Sequence, residues 1–301
     1  MDPEDIENIT LNYTYSKKEF DYYRPSDFVL IPTAFITLVA IVADVLIIYV
    51  IARFKNLHTT TNIYILNWSL CNVLFLILSP INFTVLAFLE YVSREITCVW
   101  FGEILITLTG NFIFALALTF DWYTLNFCSQ SLFVKIRRYY KFEIMSIWII
   151  IVLLSFYICF HCILPIMHEW IFIVVTVSFV FMFIIQIVRL IKLKTSSVID
   201  EKSKLTLILV SSYFLCWVPN YVLHSIKTFN DDDDVIAPEL LVLCFLIGYL
   251  NPIIFILLLY YYDKKFKSSF KTLCNYSNET NELGSSFESI DIKSGQVTSL
   301  I

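Results

Sequence analysis

Glycine and proline are scarce in this chain, with 5 and 8 among 301 residues, and charged residues make up only 16%. The first scarcity argues against an all-β barrel, whose many turns need both residue types. The second argues against a soluble domain, where about a quarter of the residues are charged. No Cys/His spacing suits a metal site, and the one formal CxxC pair, Cys159 and Cys162, lies within an apolar run. Carboxylates within the apolar runs have no His or nucleophile at a useful spacing, so an enzyme is not expected and neither a cofactor nor a nucleic-acid partner is implied. A cleaved secretory leader is not expected either. The first apolar run begins near Phe28, after an acidic stretch, and is too long for a cleaved segment.

What is present is apolar sequence in long blocks. Hydrophobic residues make up 58% of the chain, including 27 Phe and 18 Tyr, and the mean hydropathy is +0.74. A helix needs about 20 apolar residues to cross a bilayer. Seven runs qualify: 28–52, 63–88, 99–127, 143–166, 170–191, 205–226 and 239–262. Little more than His168 and Glu169, after Pro165, separates the fourth from the fifth. Fused, they would form one run of about 49 residues, beyond what tilt absorbs, so two antiparallel helices are predicted.

Lysine and arginine set the expected orientation. Arg53 and Lys55 follow the first run, Lys135, Arg137, Arg138 and Lys141 the third, Arg189 to Lys204 the fifth, and Lys264 to Lys271 the seventh. Acidic residues occupy the opposite loops, ending with Asp231–Asp234. The prediction is an all-α membrane protein: a seven-transmembrane helix bundle with a short amphipathic eighth helix. It is expected in the plasma membrane, with the N-terminus extracellular and the C-terminus cytoplasmic. Residues 1–27 form an acidic outer leader with glycosylation sequons at Asn8 and Asn12. The bundle spans 28–262, the amphipathic helix 263–274, and a polar, Ser/Thr-rich tail 275–301, which is expected to be disordered.

Several motifs then align. The sixth run reads Tyr213-Phe-Leu-Cys216-Trp217-Val-Pro219, and the seventh contains Asn251-Pro252-Ile-Ile-Phe255. The third ends in Asp121-Trp122-Tyr123, the fourth carries Trp148, the second carries Pro80, and Cys98 opens the third. Leu57-His58-Thr59-Thr60-Thr61-Asn62 leads into the second run. Together these resemble the rhodopsin-like (class A) G-protein-coupled receptors, most nearly the peptide receptors, over residues 28–270. The resemblance implies a cell-surface receptor signalling through a G protein or arrestin, with Trp217 and the Pro219 bend as moving parts. It also implies that the basic helix after Asp263 lies along the membrane, with Cys274 as a lipidation site.

Departures from the family pattern matter as much. Trp122 stands where the family has Arg, and an indole has one N–H and no charge where a guanidinium has a fork of donors. Asp121 then lacks its adjacent cation and would turn to Lys135, Arg137 or Arg138. Phe255 replaces the usual Tyr. Two outcomes stay open: a receptor that still signals despite these changes, and one whose G-protein coupling is weakened or absent. The polar pair of the first and second helices is exchanged: Asp44 and Asn72 stand where Asn and Asp are usual. A cluster of Asp44, Asn72 and Asn251, joined by Asn111, is therefore expected, and sodium binding is in doubt. No cysteine lies between Cys162 and Cys216, so Cys98 is expected to be free.

The acidic outer face, with Tyr13, Tyr15, Tyr22 and Tyr23 near Glu19 and Asp21, suits a basic peptide or another cationic ligand. Glu103, Tyr221 and His224 are candidate ligand contacts above Trp217. Ser299-Leu300-Ile301 fits a PDZ-type ligand. Two other classes stay open. One is a receptor-like protein that captures or traffics ligand without signalling, favoured by Trp122. The other is a transporter or channel, which would need intramembrane charges along a path or repeated halves.

Overall fold

The computed structural model describes residues 27–88, 94–127, 138–161, 176–177, 179–191, 201–229 and 238–275. Among the described residues there is no β-strand. The helices are α1 (Asp27–Arg53), α2 (Thr60–Phe88), α3 (Arg94–Phe127), α4 (Tyr140–His161), α5 (Phe179–Ile191), α6 (Glu201–Phe229), α7 (Pro238–Tyr249), α8 (Asn251–Tyr262) and α9 (264–275). A 3₁₀ turn, Lys55–Leu57, links α1 to α2. Among the described residues, five stretches are long and apolar enough to cross a membrane: Ile31–Arg53, Thr60–Ser79, Tyr140–Tyr157, Lys204–Leu223 and Leu243–Tyr262, the last running through α7 and α8. At 34 residues α3 has the length to cross as well. The described part of α5 is shorter than a crossing needs.

The distribution of side chains is inverted relative to a water-soluble bundle. Ile31, Phe35 and Leu38 on α1, Phe142, Leu153 and Phe156 on α4, and Val180, Phe183 and Ile184 on α5 point outward. Asp44, Asn72, Asn111 and Arg189 are buried. In water the outward residues would be the ones to bury. In lipid they cost nothing to expose, whereas polar groups must find partners inside.

The helices close into a ring. α1 packs on α2, α7 and α8; α2 also packs on α3 and α4; α3 on α4 and α6; α6 on α7 and α8. Phe179 of α5 joins α3 and α6, with ring centroids 5.1 Å from Phe112 and 4.6 Å from Phe214. α3 therefore touches α2, α4, α5 and α6, and its Phe112, Phe114, Ala115 and Leu118 are buried.

Two breaks have local causes. Pro252 has no N–H to give the carbonyl of Gly248, so the helix relaxes into a turn between α7 and α8. At that turn the Leu250 N–H is shared between the carbonyls of Leu246 and Ile247, at 3.2 and 3.3 Å. Asp263 then starts α9. Its Oδ1 accepts the N–H of Lys265 at 2.9 Å and of Phe266 at 3.1 Å, the geometry of an N-cap. Phe266 and Ser269 face inward while Lys264, Lys265 and Lys271 are exposed, so α9 is amphipathic. Pro219, by contrast, is carried inside α6 without ending it.

One reading of the sequence is corrected here. Arg189 was grouped with the basic loop after the fifth run, but it lies within α5 and is fully buried. The reason is periodicity: Phe179, Met182, Gln186 and Arg189 form one inward stripe at helical spacing.

Candidate functional site

Three polar side chains meet between α1, α2 and α3. Asn72 Nδ2 donates to Asp44 Oδ2 at 2.7 Å, and Asn111 Nδ2 donates to Asn72 Oδ1 at 3.3 Å. The exchanged positions thus form a continuous chain in which each amide gives a proton to the next acceptor. Asn251 is also buried, on α8 beside α1, but its Oδ1 has no hydrogen-bond partner. The chain therefore runs from Asp44 through Asn72 to Asn111.

An aromatic column stands next to it. Trp68 of α2 meets Tyr213 of α6 and Phe255 of α8 edge-on, with centroids 4.9 and 4.8 Å apart. Trp217 meets Phe75 edge-on at 5.4 Å, and Tyr213 at 6.2 Å. Phe255 fills its place as a ring against Trp68, a contact that needs no hydroxyl. On the far side of Trp217 is Gly248 of α7. A Cβ there would lie 3.1 Å from the indole Cη2 and Cζ2, closer than carbon atoms normally pack. Gly248 is what lets α7 approach the indole of α6 this closely. The neighbouring Tyr249 hydroxyl is bonded to Ser79 of α2.

At the end of α3, Trp122 is 4% exposed, whereas Tyr123 is exposed and Asp121 half-buried. The guanidinium carbon of Arg189 lies 4.2 Å from the centre of the Trp122 ring. That is a cation–π contact in a site closed to solvent, where the attraction of a ring face for a cation is strongest. The sequence pattern left this position without a cation on α3; the tertiary structure brings one from α5. The signal was present in the sequence as Gln186 and Arg189, one turn apart in an otherwise apolar run.

The candidate ligand contacts diverge. Glu103 is half-buried and accepts the hydroxyl proton of Ser155 on α4 at 3.0 Å. Tyr221 donates to Thr176 Oγ1 at 2.8 Å and stacks on Phe179 at 4.6 Å, which turns it toward α5. Trp217 is directed toward α2 and α7. The side chains of His224 and Cys98 lie outside the described residues, as do Asn8, Asn12, Lys135, Arg137, Cys162, Asp231–Asp234 and the tail with Ser299–Ile301. Cys274 is exposed on α9 with a free thiol. Among the described residues there is no group of His, Cys, Asp or Glu that could hold a metal ion.

Further polar ties join the first four helices. Trp148 Nε1 donates to Asn67 Oδ1 at 2.9 Å, and the Tyr64 hydroxyl donates to Glu143 Oε2 at 2.6 Å. Asn62 Nδ2 holds the Leu57 carbonyl at 3.0 Å, fixing the turn into α2. No protein-family model matches the chain, and no curated protein matches it closely enough to count as a relative.

Proposed function

We propose that this chain is a seven-helix cell-surface receptor for a peptide or other cationic ligand, rhodopsin-like in pattern, with weakened coupling to G protein. In this reading the seven apolar runs cross the plasma membrane, the acidic N-terminal segment faces outward, and the lysine-rich end faces the cytoplasm. The observation that carries it is the seat of Trp217. This indole lies on α6 two residues before Pro219, edge-on to Phe75 and against the bare backbone of Gly248. A ring held by apolar contacts beside a proline, which lacks one helical hydrogen bond, has a point about which the helix can swing. A ligand entering from outside favours the arrangement in which α6 has swung about that point, and the change is a shift between two populations.

The second reading is capture or trafficking of ligand without signalling, and Trp122 is the feature that favours it. One set of measurements separates the two. Basic peptides are screened for binding to the intact protein in nanodiscs, and nucleotide exchange on a panel of G proteins is followed for those that bind. Binding with stimulated exchange is the expected result. Binding without exchange transfers the assignment to the capture reading. Absence of any binding, or tags showing both chain ends on one side of the bilayer, overturns both.

A further inference from the structure

We propose that the Trp122–Arg189 stack is the inner lock of this bundle, with its cation carried by α5 instead of α3. The proposal rests on the receptor reading only for its consequence in signalling; the lock itself is a property of the fold. Three observations support it. Arg189 is fully buried in a helix whose outer face is apolar, and a charge in such a place is stable only where something compensates it. The Trp122 face at 4.2 Å provides that compensation. Both residues lie on inward stripes: Trp122 follows the buried Leu118 by one turn on α3, and Arg189 follows the buried Gln186 on α5.

The stack joins α3 to α5 near one end of both helices, and α5 is tied in turn to α6. Ser211 of α6 donates to Gln186 at 3.5 Å, one turn from Arg189, while Phe183 stacks on Phe214 and Phe179 packs against it at a tilt. Displacing α6 therefore pulls on α5 and slides the guanidinium off the ring. A cation–π contact tolerates a small slide better than a fork of hydrogen bonds but is lost once the ring face is no longer opposed. The guanidinium released from the ring would then be open to acidic groups of a cytoplasmic partner. This arrangement also changes how the missing α3 arginine can be restored. Trp122→Arg alone sets two guanidinium groups against each other in a buried site, so the single substitution destabilises the contact instead of restoring an α3 cation.

The test is a reciprocal exchange. Four proteins are compared in detergent: wild type, Trp122→Arg, Arg189→Trp, and the double exchange. Each single variant is expected to lower the thermal midpoint by about 5 °C or more, a shift of the size that loss of one buried contact gives in a domain this large. The double exchange should recover most of that loss. Trp122→Phe, which keeps a weaker ring face, should fall between wild type and Trp122→Arg and covers the case in which the arginine variant does not fold. Additive losses in the double exchange, or a Trp122→Phe protein as unstable as Trp122→Arg, overturn the lock. Hydrogen exchange at the α5 amides is the second readout, expected to rise in the single variants and to return in the double. Basal nucleotide exchange on the G-protein panel is measured in parallel. A recovered midpoint together with no exchange from any variant, even with a bound basic peptide, moves the assignment to the capture reading and leaves the lock standing.

Discussion

The first four helices and the group α6, α7 and α8 are held by different balances of chemistry. Between α1, α2, α3 and α4 the ties are directional: Asp44 to Asn72 to Asn111, Asn67 to Trp148, Tyr64 to Glu143 and Glu103 to Ser155. Where α6, α7 and α8 meet the rest, rings predominate: Trp68 against Tyr213 and Phe255, Phe75 against Trp217, Phe112 against Phe179 and Tyr213. A hydrogen bond in a low-dielectric interior is costly to break and fixes the register of two helices. Edge-on ring contacts accept a range of angles and distances with small changes in energy. The difference teaches that hydrogen bonds fix the register of the first group, whereas α6 to α8, tied by hydrogen bonds at Ser79–Tyr249, Ser211–Gln186 and Tyr221–Thr176, rest mainly on contacts that allow latitude in angle and distance.

The comparison can be broken at its seams. Trp68→Ala removes the ring on which both Tyr213 and Phe255 rest, and should cost about 4 kcal/mol, the most of any variant here. A loss below about 1 kcal/mol would mean that the rings do not hold the two halves together. Asn72→Leu interrupts the polar chain and leaves Asp44 without its donor, so about 3 kcal/mol should be lost. Asp44→Asn keeps an acceptor in reach of Asn72 and should stay within about 1 kcal/mol of wild type; an equal loss in both variants would show that the carboxylate itself matters, and not the bond. Both pairs are read from thermal unfolding in the same detergent.

Smaller changes sharpen the picture. Gly248→Ala inserts a methyl 3.1 Å from the Trp217 indole. Overpacking of this kind should cost about 1–2 kcal/mol and move the indole by a few tenths of an ångström. If the α6 half is adaptable, that shift should appear as faster hydrogen exchange in α6 and α7 while α2 to α4 stay as they were. Uniform acceleration across the bundle would contradict the division into halves. Tyr64→Phe removes one hydroxyl bonded to Glu143 and should cost about 1 kcal/mol, with exchange rising in α2 and α4 alone.

Much of the helical framework was legible because lipid solvent leaves a strong mark. A run of about 20 apolar residues with few charges has few other structures open to it. The breaks were less legible: residues 239–262 read as one run although Pro252 lacks the proton that a continuous helix needs, and the sequence pattern did not assign Asp263 its capping role. The polar cluster was readable from Asp44, Asn72 and Asn111 because buried polar groups must find one another. Asn251 was placed in the same group by pattern, yet a buried position alone does not bring its oxygen to a donor. Glu103 and Tyr221 were grouped as if they faced one cavity. Helical spacing fixes the face of a helix, but the direction in which that face points depends on how neighbouring helices are rotated.

Arg189 marks the limit most plainly. As a cation near the end of an apolar run it reads as a loop charge, and only the stripe of Phe179, Met182, Gln186 and Arg189 hints otherwise. By itself the sequence determined that this chain is helical and that long apolar runs in it suit a membrane. These follow from composition. The pairing of Trp122 with Arg189, 67 residues apart in number, was decided only by the tertiary structure. A ring face and a guanidinium attract over a few ångströms, and nothing in either local sequence specifies which helix will bring the other within that range.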